Sequence, residues 1–231
     1  EPSDGVERAW SAVYADPDQN TELVRLGEAL TDVGELVWRW RNDHLVANNE
    51  FHSVVLESDD QGAIDIYGNP TYRGMVFRHN YFHDLGNLDP TSGVHGQAGI
   101  RFDDAISGMV VYGNLFERSA NGNFGGVQMN SGRDNIMDGN AFLDCSIGIS
   151  GGYYAGNSVW QTLRSGQAPD GFYLTDLYLE RYPEMARMLE EPALSFAWRN
   201  VFWRCGRVAS NPGGLEMIGN QVLDQDAPMP D

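Results

Sequence analysis

Asparagines recur along the chain at a fixed offset from apolar residues, each two positions before a bulky apolar side chain. The six pairs, separated by 31, 34, 26, 60 and 20 residues, are Asn49–Phe51, Asn80–Phe82, Asn114–Phe116, Asn140–Phe142, Asn200–Phe202 and Asn220–Val222. An apolar, strand-like stretch precedes each Asn. Repeats of this length are typical of a solenoid, in which equivalent positions of successive coils stack on one another.

Two neighbouring columns of apolar residues appear when the repeats are aligned on the Asn. The first column is broken only by Glu216 and contains Leu45, Val76, Val110, Ile136 and Phe196. The second contains Val46, Phe77, Val111, Met137, Ala197 and Met217. Because apolar residues recur at matching places, we predict that both columns and the Phe column face the interior.

A second strand follows each of the first four pairs, at residues 62–66, 98–102, 125–129 and 147–150. Its residues alternate between an inward set (Ile64, Ile100, Val127 and Ile149) and an outward set (Asp65, Arg101, Gln128 and Ser150). Parallel strands stack about 4.8 Å apart, and their crossovers are almost always right-handed. The pattern predicts an all-β fold, a right-handed parallel β-helix solenoid of about six coils, with an asparagine ladder at a bend.

Non-repeating segments interrupt and flank these coils. Residues 1–35 carry a weak helical pattern and are predicted to form an N-terminal cap or a degenerate first coil. The solenoid is expected over 36–223, with an insertion at about 152–193 in which a short helix runs from Pro183 to about Glu191. Residues 224–231 are expected to be an irregular tail. Cys145 and Cys205 share a register in consecutive coils, which fits stacked thiols or a disulfide.

The charge balance narrows the classes of partner. With 15 Lys and Arg against 33 Asp and Glu, the net charge is −18, which disfavours nucleic acid and anionic membranes and favours neutral sugars. No stretch approaches the ~18 apolar residues of a membrane span. The chain opens at Glu1 without a signal-peptide pattern, so we expect either a removed leader or a fragment of a longer protein.

Stacking places several polar residues along one corner. The residue after the Phe column is His52, His83 and Glu117 in the first three coils, so these side chains should form a line. The loops 53–61 and 84–97 bring further acidic and histidine side chains to the same rim: Glu57, Asp59, Asp60, Asp84 and His95. Histidines beside carboxylates suit proton transfer at neutral pH. The alternatives are a hydrogen-bonded turn, a transition metal held by His52, His83 and Glu117, or Ca²⁺ held by the carboxylates.

A second polar group lies on the outward face of the second strands. Asp103 and Asp104 end one of these strands, and we expect one of them to cap the turn and the other to face a groove. Asp65 and Arg101 share a column and are expected to form an ion pair. Asp60 precedes its strand, so the alignment puts it at the opposite end of the face from Asp103. The separation then exceeds the ~5–10 Å of paired glycosidase carboxylates unless loop 53–61 folds back.

The ordered motifs resemble a group of bacterial right-handed β-helix proteins that includes glycoside hydrolase family 141. The matching segments are ESDDQGAI (57–64), RHNYFHD (78–84), GIRFDDAISG (99–108) and SGRDN (131–135). The resemblance implies a secreted or periplasmic carbohydrate-active enzyme whose catalytic aspartates lie on the β-helix. Carried over by motif, it indicates Asp60 and one of Asp103 and Asp104, with His83 nearby.

The leading hypothesis is an extracellular glycoside hydrolase that binds a polysaccharide or oligosaccharide. One carboxyl group protonates the leaving oxygen while a second activates water or attacks the anomeric carbon. The predicted catalytic residues are Asp60, His83, Asp103 and Asp104. The predicted substrate-binding residues are His52, Asp59, Asp65, Arg101, Glu117, Gln128, Asn130 and Arg133. No cofactor is required, although Ca²⁺ is an open alternative. A polysaccharide lyase and a non-catalytic carbohydrate-binding solenoid are the competing hypotheses.

Overall fold

The computed structural model describes residues 43–68, 72–87, 93–165, 175–223 and 226. These residues form a parallel β-helix whose coils stack six deep, with three sheets running along the solenoid. The predicted N-terminal cap at 1–35 lies outside the described residues, as does the predicted tail apart from Asp226. In the part of the chain described, no helix is long and apolar enough to cross a membrane.

Each sheet takes one short strand from successive coils. The first sheet contains β1 (Leu45–Ala47), β4 (Val76–Arg78), β7 (Val110–Tyr112), β11 (Ile136–Asp138), β14 (Ser195–Trp198) and β17 (Leu215–Ile218). The second contains β2 (Glu50–His52), β5 (Tyr81–His83), β8 (Leu115–Glu117), β12 (Ala141–Leu143), β15 (Val201–Trp203) and β18 (Gln221–Leu223). The third contains β3 (Gln61–Ile66), β6 (Gly96–Phe102), β10 (Val127–Asn130), β13 (Ile147–Gly152) and β16 (Arg207–Ser210). The short β9 (Ala120–Gly122) pairs antiparallel with β6.

The phenylalanine column forms a single file through the interior, as predicted. Successive rings from Phe51 to Phe202 stack with centroids 4.7, 4.9, 4.9 and 5.0 Å apart and planes within 7° of parallel. Glycines on the third sheet leave room for these rings. A Cβ on Gly99 would lie 2.9 Å from the ring of Phe116, and one on Gly148 would lie 2.4 Å from that of Phe202. The Gly before Ile100, Val127 and Ile149 is therefore a packing requirement.

One of the two predicted interior columns faces outward. Phe77, Val111, Met137 and Ala197 belong to the main core, but Val76, Val110 and Ile136 form a separate cluster on the outer side of the first sheet. Leu45, at the end of that column, is 56% exposed. The prediction was wrong because adjacent residues of a strand point to opposite faces. Phe196, the next member of this column, packs against the cluster, together with Tyr112 and Trp198 of the same face.

The asparagines form the predicted ladder at the bend between the first and second sheets. From Asn80 to Asn220, each Oδ1 accepts two hydrogen bonds of 2.9–3.0 Å from the Asn one coil earlier, one from its backbone N–H and one from its Nδ2. Each Nδ2 from Asn80 onward also donates to a carbonyl oxygen of the preceding coil's first-sheet strand. The ladder thus satisfies backbone groups where the sheet pairing is interrupted.

The insertion between β13 and β14, here called the flap, packs against the flank of the solenoid. It contains α1 (Ser158–Arg164), α2 (Asp176–Arg181) and a 3₁₀ helix (Pro183–Arg187), so the helix expected to reach Glu191 is shorter and of another type. Its buried cluster includes Trp160, Tyr178, Tyr182 and Ala105 of the solenoid. Arg73 fastens the two parts through Glu184 at 3.0 Å and Asp134 at 2.8 Å.

The two cysteines are neighbouring free thiols. Cys145 and Cys205 are brought side by side by the pairing of β12 with β15, and Gly206 N–H donates to the carbonyl of Cys145 at 3.0 Å. A hydrogen bond with Cys205 lowers the pKa of the Cys145 thiol. Of the two arrangements that the sequence permits, the structure contains stacked thiols.

Candidate functional site on the third sheet

Two polar side chains hold the loop before β3 against the start of β6. Asp59 accepts hydrogen bonds from the backbone N–H groups of His95 at 2.9 Å and Gly96 at 3.0 Å. These bonds, the one from His95 first, lower the pKa of the Asp59 carboxyl. Buried Gln97 donates to the carbonyl of Val55 at 2.7 Å and also to that of Ser58. The loop path is therefore fixed by contacts with the start of β6.

Arg101 is the centre of the polar group on this face. Its Nη2 lies 3.0 Å from Asp60 Oδ1 and 2.8 Å from Asp103 Oδ2, and its Nη1 lies 3.3 Å from Asp65 Oδ2. The ion pair predicted between Asp65 and Arg101 is confirmed. We call this group, together with the next rung of the sheet, the Arg101 face: Asp60, Asp65, Arg101, Asp103, Gln128 and Asn130.

Asp60 and Asp103 are close, in contrast to the separation expected from the alignment. Two oxygens bonded to one nitrogen at 3.0 and 2.8 Å can be no further apart than the sum of those lengths, about 5.8 Å. The expected separation at opposite ends of the face is wrong because the Arg101 guanidinium lies within ion-pair distance of both carboxylates. Asp60 itself has a left-handed backbone, with φ of 56°.

The two carboxylates differ in their surroundings. Asp103 is only 14% exposed: its Oδ2 forms the ion pair with Arg101, and its Oδ1 accepts a hydrogen bond from Asn130 Nδ2 at 2.8 Å. Asp60 is 58% exposed. Asp104 itself has a left-handed backbone, with φ of 45°, and its carboxylate lies 3.5 Å from Asn157 Nδ2 in the flap. Of the two adjacent acids, Asp103 is therefore the one that faces Arg101.

Two buried polar atoms on the Arg101 face lack hydrogen-bond partners in the described residues: Arg101 Nε and Gln128 Oε1. Gln128 lies one coil above Arg101 in register and is 7% exposed. The guanidinium also lies 5.4 Å from the ring centroid of Phe124. A buried donor and a buried acceptor left unmet on neighbouring rungs are costly, and a bound hydroxyl could satisfy both because it donates and accepts.

The predicted line of His52, His83 and Glu117 lies at a different place, on the outer side of the second sheet. Its register is confirmed, and the two imidazole rings stack 5.2 Å apart. We call this group the His83 corner: Glu50, His52, Tyr81, His83, Asp84, Glu117 and Arg118. His83 Nδ1 lies 2.8 Å from Asp84 and its Nε2 lies 2.9 Å from Glu50.

Ion pairing sets the protonation of this corner. The bond to Asp84, and then that to Glu50, raises the pKa of His83. Bonds from Arg118 and His83 lower the pKa of Asp84 to about 2. Tyr81 donates to Glu117, which raises the pKa of the Tyr81 phenol to about 12. Within this corner, the carboxylates of Glu50, Asp84 and Glu117 each have a cationic or hydroxyl partner.

The structure thus divides the predicted site residues into two groups. His83 was predicted to assist Asp60 or Asp103, but the hydrogen-bond partners of its ring in the described residues are Glu50 and Asp84. Arg133 belongs to neither group, because its Nη1 donates to the carbonyls of three flap residues: Arg187, Met188 and Glu190. Within the described ranges, no set of three His, Cys, Asp or Glu side chains is arranged to hold a metal ion.

Three residues with clear roles escaped the sequence reasoning. Gln97 positions the loop that carries Asp60, Phe124 packs beside Arg101, and Glu50 holds His83. Gln97 is in register with Gln61, which was an available signal. Phe124 follows the non-repeating β9, and no column could have identified it.

Comparisons with known proteins found one family match over more than half of the chain and two relatives that match shorter segments. The chain is 31% identical over 87 residues to a tryptophan 2,3-dioxygenase of Caulobacter vibrioides, covering 38% of this chain and 31% of that protein. It is 46% identical over 43 residues to a tryptophan 2,3-dioxygenase of Polaromonas naphthalenivorans, covering 19% of this chain and 15% of that protein. The chain thus spans less than a third of the length of these curated relatives.

No solved structure matches the chain. A family model described as right handed beta helix region matches residues 35–165, which is more than half of the chain and includes the whole Arg101 face. Regions of this kind are typical of proteins that process or bind polysaccharides. The parallel pairing of the three sheets agrees with that match. The chain belongs to the right-handed β-helix family.

Proposed function

We propose that this chain is a glycoside hydrolase, and that the Arg101 face is its active site. The observation that carries the proposal is the shared contact of Asp60 and Asp103 with Arg101 Nη2, which keeps the two bonded oxygens within about 5.8 Å. Paired carboxylates are the recurring machinery of glycoside hydrolysis. The unmet polar atoms of Arg101 and Gln128 add hydrogen-bonding capacity for a sugar hydroxyl.

The short separation favours a retaining mechanism. Retaining enzymes hold their carboxyl groups about 5–5.5 Å apart, whereas inverting enzymes need about 6.5–9.5 Å to admit a water molecule. Asp103, fixed at both oxygens, is the nucleophile that bonds to the anomeric carbon. Asp60 gives its proton to the leaving oxygen as the glycosidic bond breaks. Asp60 then takes a proton from water, whose oxygen displaces Asp103 and releases the sugar.

The charge of the face favours a neutral substrate. Three carboxylates surround a single guanidinium, so the face repels uronates and sulfated sugars. The chain as a whole carries a net charge of −18, which adds to this repulsion at long range. We therefore assign polysaccharides built from uncharged sugars as the substrate class.

The test is a screen of the purified protein against neutral polysaccharides, with reducing ends measured and the product anomer followed by NMR. We expect the first-formed product to keep the anomeric configuration of the substrate. Asp60→Asn and Asp103→Asn should lose turnover, whereas Asp104→Asn, which changes an adjacent carboxylate facing the flap, should keep most of it. Full activity in both of the first two variants, or an inverted product, would refute the mechanism.

A second candidate, a polysaccharide lyase, is favoured by one observation at the His83 corner. His83 is oriented by Asp84, and the ring of Tyr81 stacks on it at 4.2 Å, so an oriented imidazole lies beside a phenol. Elimination requires a base that removes a carbon-bound proton and an acid for the leaving oxygen. Products that absorb in the ultraviolet, lost in His83→Ala and kept in Asp103→Asn, would select the lyase over the hydrolase.

A further inference from the structure

We infer that a glycan chain crosses the Arg101 face obliquely, stacked on Tyr67 on one side of the catalytic pair and hydrogen-bonded to Gln128 on the other. The inference rests on the proposed function, because it extends the same site. It assigns two binding residues and an internal mode of cleavage.

Tyr67 lies on the outer face directly beneath Asp103. Ile66, the last residue of β3, packs against the main core and is paired with Phe102, and Asp103 N–H donates to its carbonyl at 2.8 Å. The next residue of each strand therefore points outward, which puts Tyr67 and Asp103 on adjacent rungs. The Tyr67 side chain is 71% exposed.

An exposed aromatic ring beside a catalytic carboxylate is suited to a sugar. Its face is apolar and packs on the C–H face of a pyranose, while its hydroxyl stays in water. Exposed single apolar residues need no explanation by themselves. Tyr67 differs because its rung adjoins the pair that Arg101 holds together.

Gln128 supplies the polar contact on the opposite side. It occupies the rung after Arg101 on the same outward column, is more than nine-tenths buried, and leaves Oε1 without a partner. Arg101 Nε beside it is also unmet. A sugar hydroxyl that donates to Gln128 and accepts from Arg101 would complete both groups.

These positions fix the direction of the glycan. Tyr67, Asp103 and Gln128 belong to three successive coils, which lie about 4.8 Å apart. Gln128 is in register with Arg101, two residues before Asp103, which is about 6.6 Å along the strand. A chain that touches all three therefore crosses the sheet obliquely and extends on both sides of the cleaved bond. We therefore expect cleavage inside the polysaccharide, with short oligosaccharides as first products.

The experiment measures binding in Asp60→Asn, a catalytically impaired variant of the 231-residue chain. Calorimetry with neutral hexasaccharides (the cello-, manno-, xylo- and laminari- series) identifies a probe, and hexagalacturonate is the charged comparison. Adding Tyr67→Ala should weaken binding of that probe at least about tenfold, whereas Tyr67→Phe should stay within about twofold. Gln128→Leu, close in volume, should weaken it about fivefold. Tyr154→Ala removes another exposed tyrosine, 65% exposed, and should change nothing.

The outcomes separate the two proposals. If no neutral hexasaccharide binds, or if Tyr67→Ala binds as tightly as its background, the inference is overturned. Equal losses in Tyr67→Ala and Tyr154→Ala would also overturn it. If binding depends on Tyr67 and Gln128 but the wild-type protein releases no sugar, the glycan path holds and the hydrolase proposal fails. Melting temperatures of all variants within a few degrees of the background exclude misfolding as the cause.

Discussion

The asparagine ladder and the Arg101 face are both stacked columns of polar side chains, but they are completed in different ways. In the ladder, every buried Asn finds its partners in the coils above and below it. On the Arg101 face, three carboxylates share one guanidinium, and Arg101 Nε and Gln128 Oε1 are left unmet. The solenoid thus uses the same stacking to build a self-sufficient column and an incomplete one.

This difference distinguishes polar side chains that stabilise the fold from polar side chains that are available to bind a ligand. A column that satisfies itself lowers the free energy of the folded chain without a ligand. A column with unmet groups destabilises the chain, by roughly 1–3 kcal/mol for each buried group, and becomes complete only when something binds. The His83 corner belongs with the ladder, since both nitrogens of His83 are occupied. This is why the Arg101 face, and not the histidines, is the stronger candidate for catalysis.

The largest expected effect is a loss of activity without a loss of stability. Asp103→Asn should reduce turnover at least about 1,000-fold, equivalent to about 4 kcal/mol of barrier, because the nucleophile is gone. The free energy of unfolding should stay the same or rise by about 0.5 kcal/mol, since one of three crowded carboxylates becomes neutral. Turnover on the screened substrate and urea denaturation measure the two quantities. A variant that is both unstable and inactive would show that Asp103 stabilises the fold, as the ladder asparagines do.

The reverse result is expected for the ladder. Asn140→Ala removes an Oδ1 that accepts twice from Asn114 and an Nδ2 that donates to Asn200 and Val111. Leaving these buried groups unmet should lower the free energy of unfolding by about 3 kcal/mol. Asn49→Ala, at the exposed end of the ladder, is the matched control and should cost less than about 1 kcal/mol. Equal losses at the two positions in urea denaturation would contradict cooperative stacking.

The smallest effect concerns the pH dependence of the His83 corner. The pKa of His83 is raised above 6.5 by Asp84 and Glu50, so its contribution to stability is complete below about pH 6.5 and is lost as the pH rises through the raised pKa. Asp84→Asn should lower the pKa of His83 and flatten stability over that pH range. NMR titration of the imidazole checks the first point and urea denaturation at several pH values the second. A pKa that does not move would show that Asp84 is not the cause.

The stacked parts of the molecule could be predicted from the sequence because a repeat converts spacing into contact. The Phe file, the asparagine ladder and the pairing of Asp65 with Arg101 all follow from register alone. Register also gave the row of His52, His83 and Glu117. Register does not determine which outward-facing side chains form hydrogen bonds or ion pairs, because that depends on the length and conformation of each side chain.

The rest depends on segments that do not repeat. Asp60 and Asp103 come close because both pair with Arg101. Asp59 and Gln97 hold the Asp60 loop at the start of β6, and no periodicity encodes these contacts. The Val76 column was predicted to be interior because apolar composition was given more weight than strand alternation. Arg133 was predicted to bind substrate, yet its partners are carbonyls of the flap, an insertion without counterpart in the repeat.

A crystal structure of Asp60→Asn with a bound oligosaccharide would show whether the Arg101 face is an incomplete site for a neutral glycan. We expect a sugar stacked on Tyr67, with a hydroxyl within hydrogen-bond distance of Gln128 Oε1 and Arg101 Nε and an anomeric carbon beside Asp103. A sugar bound at the His83 corner with the Arg101 face left empty would contradict it.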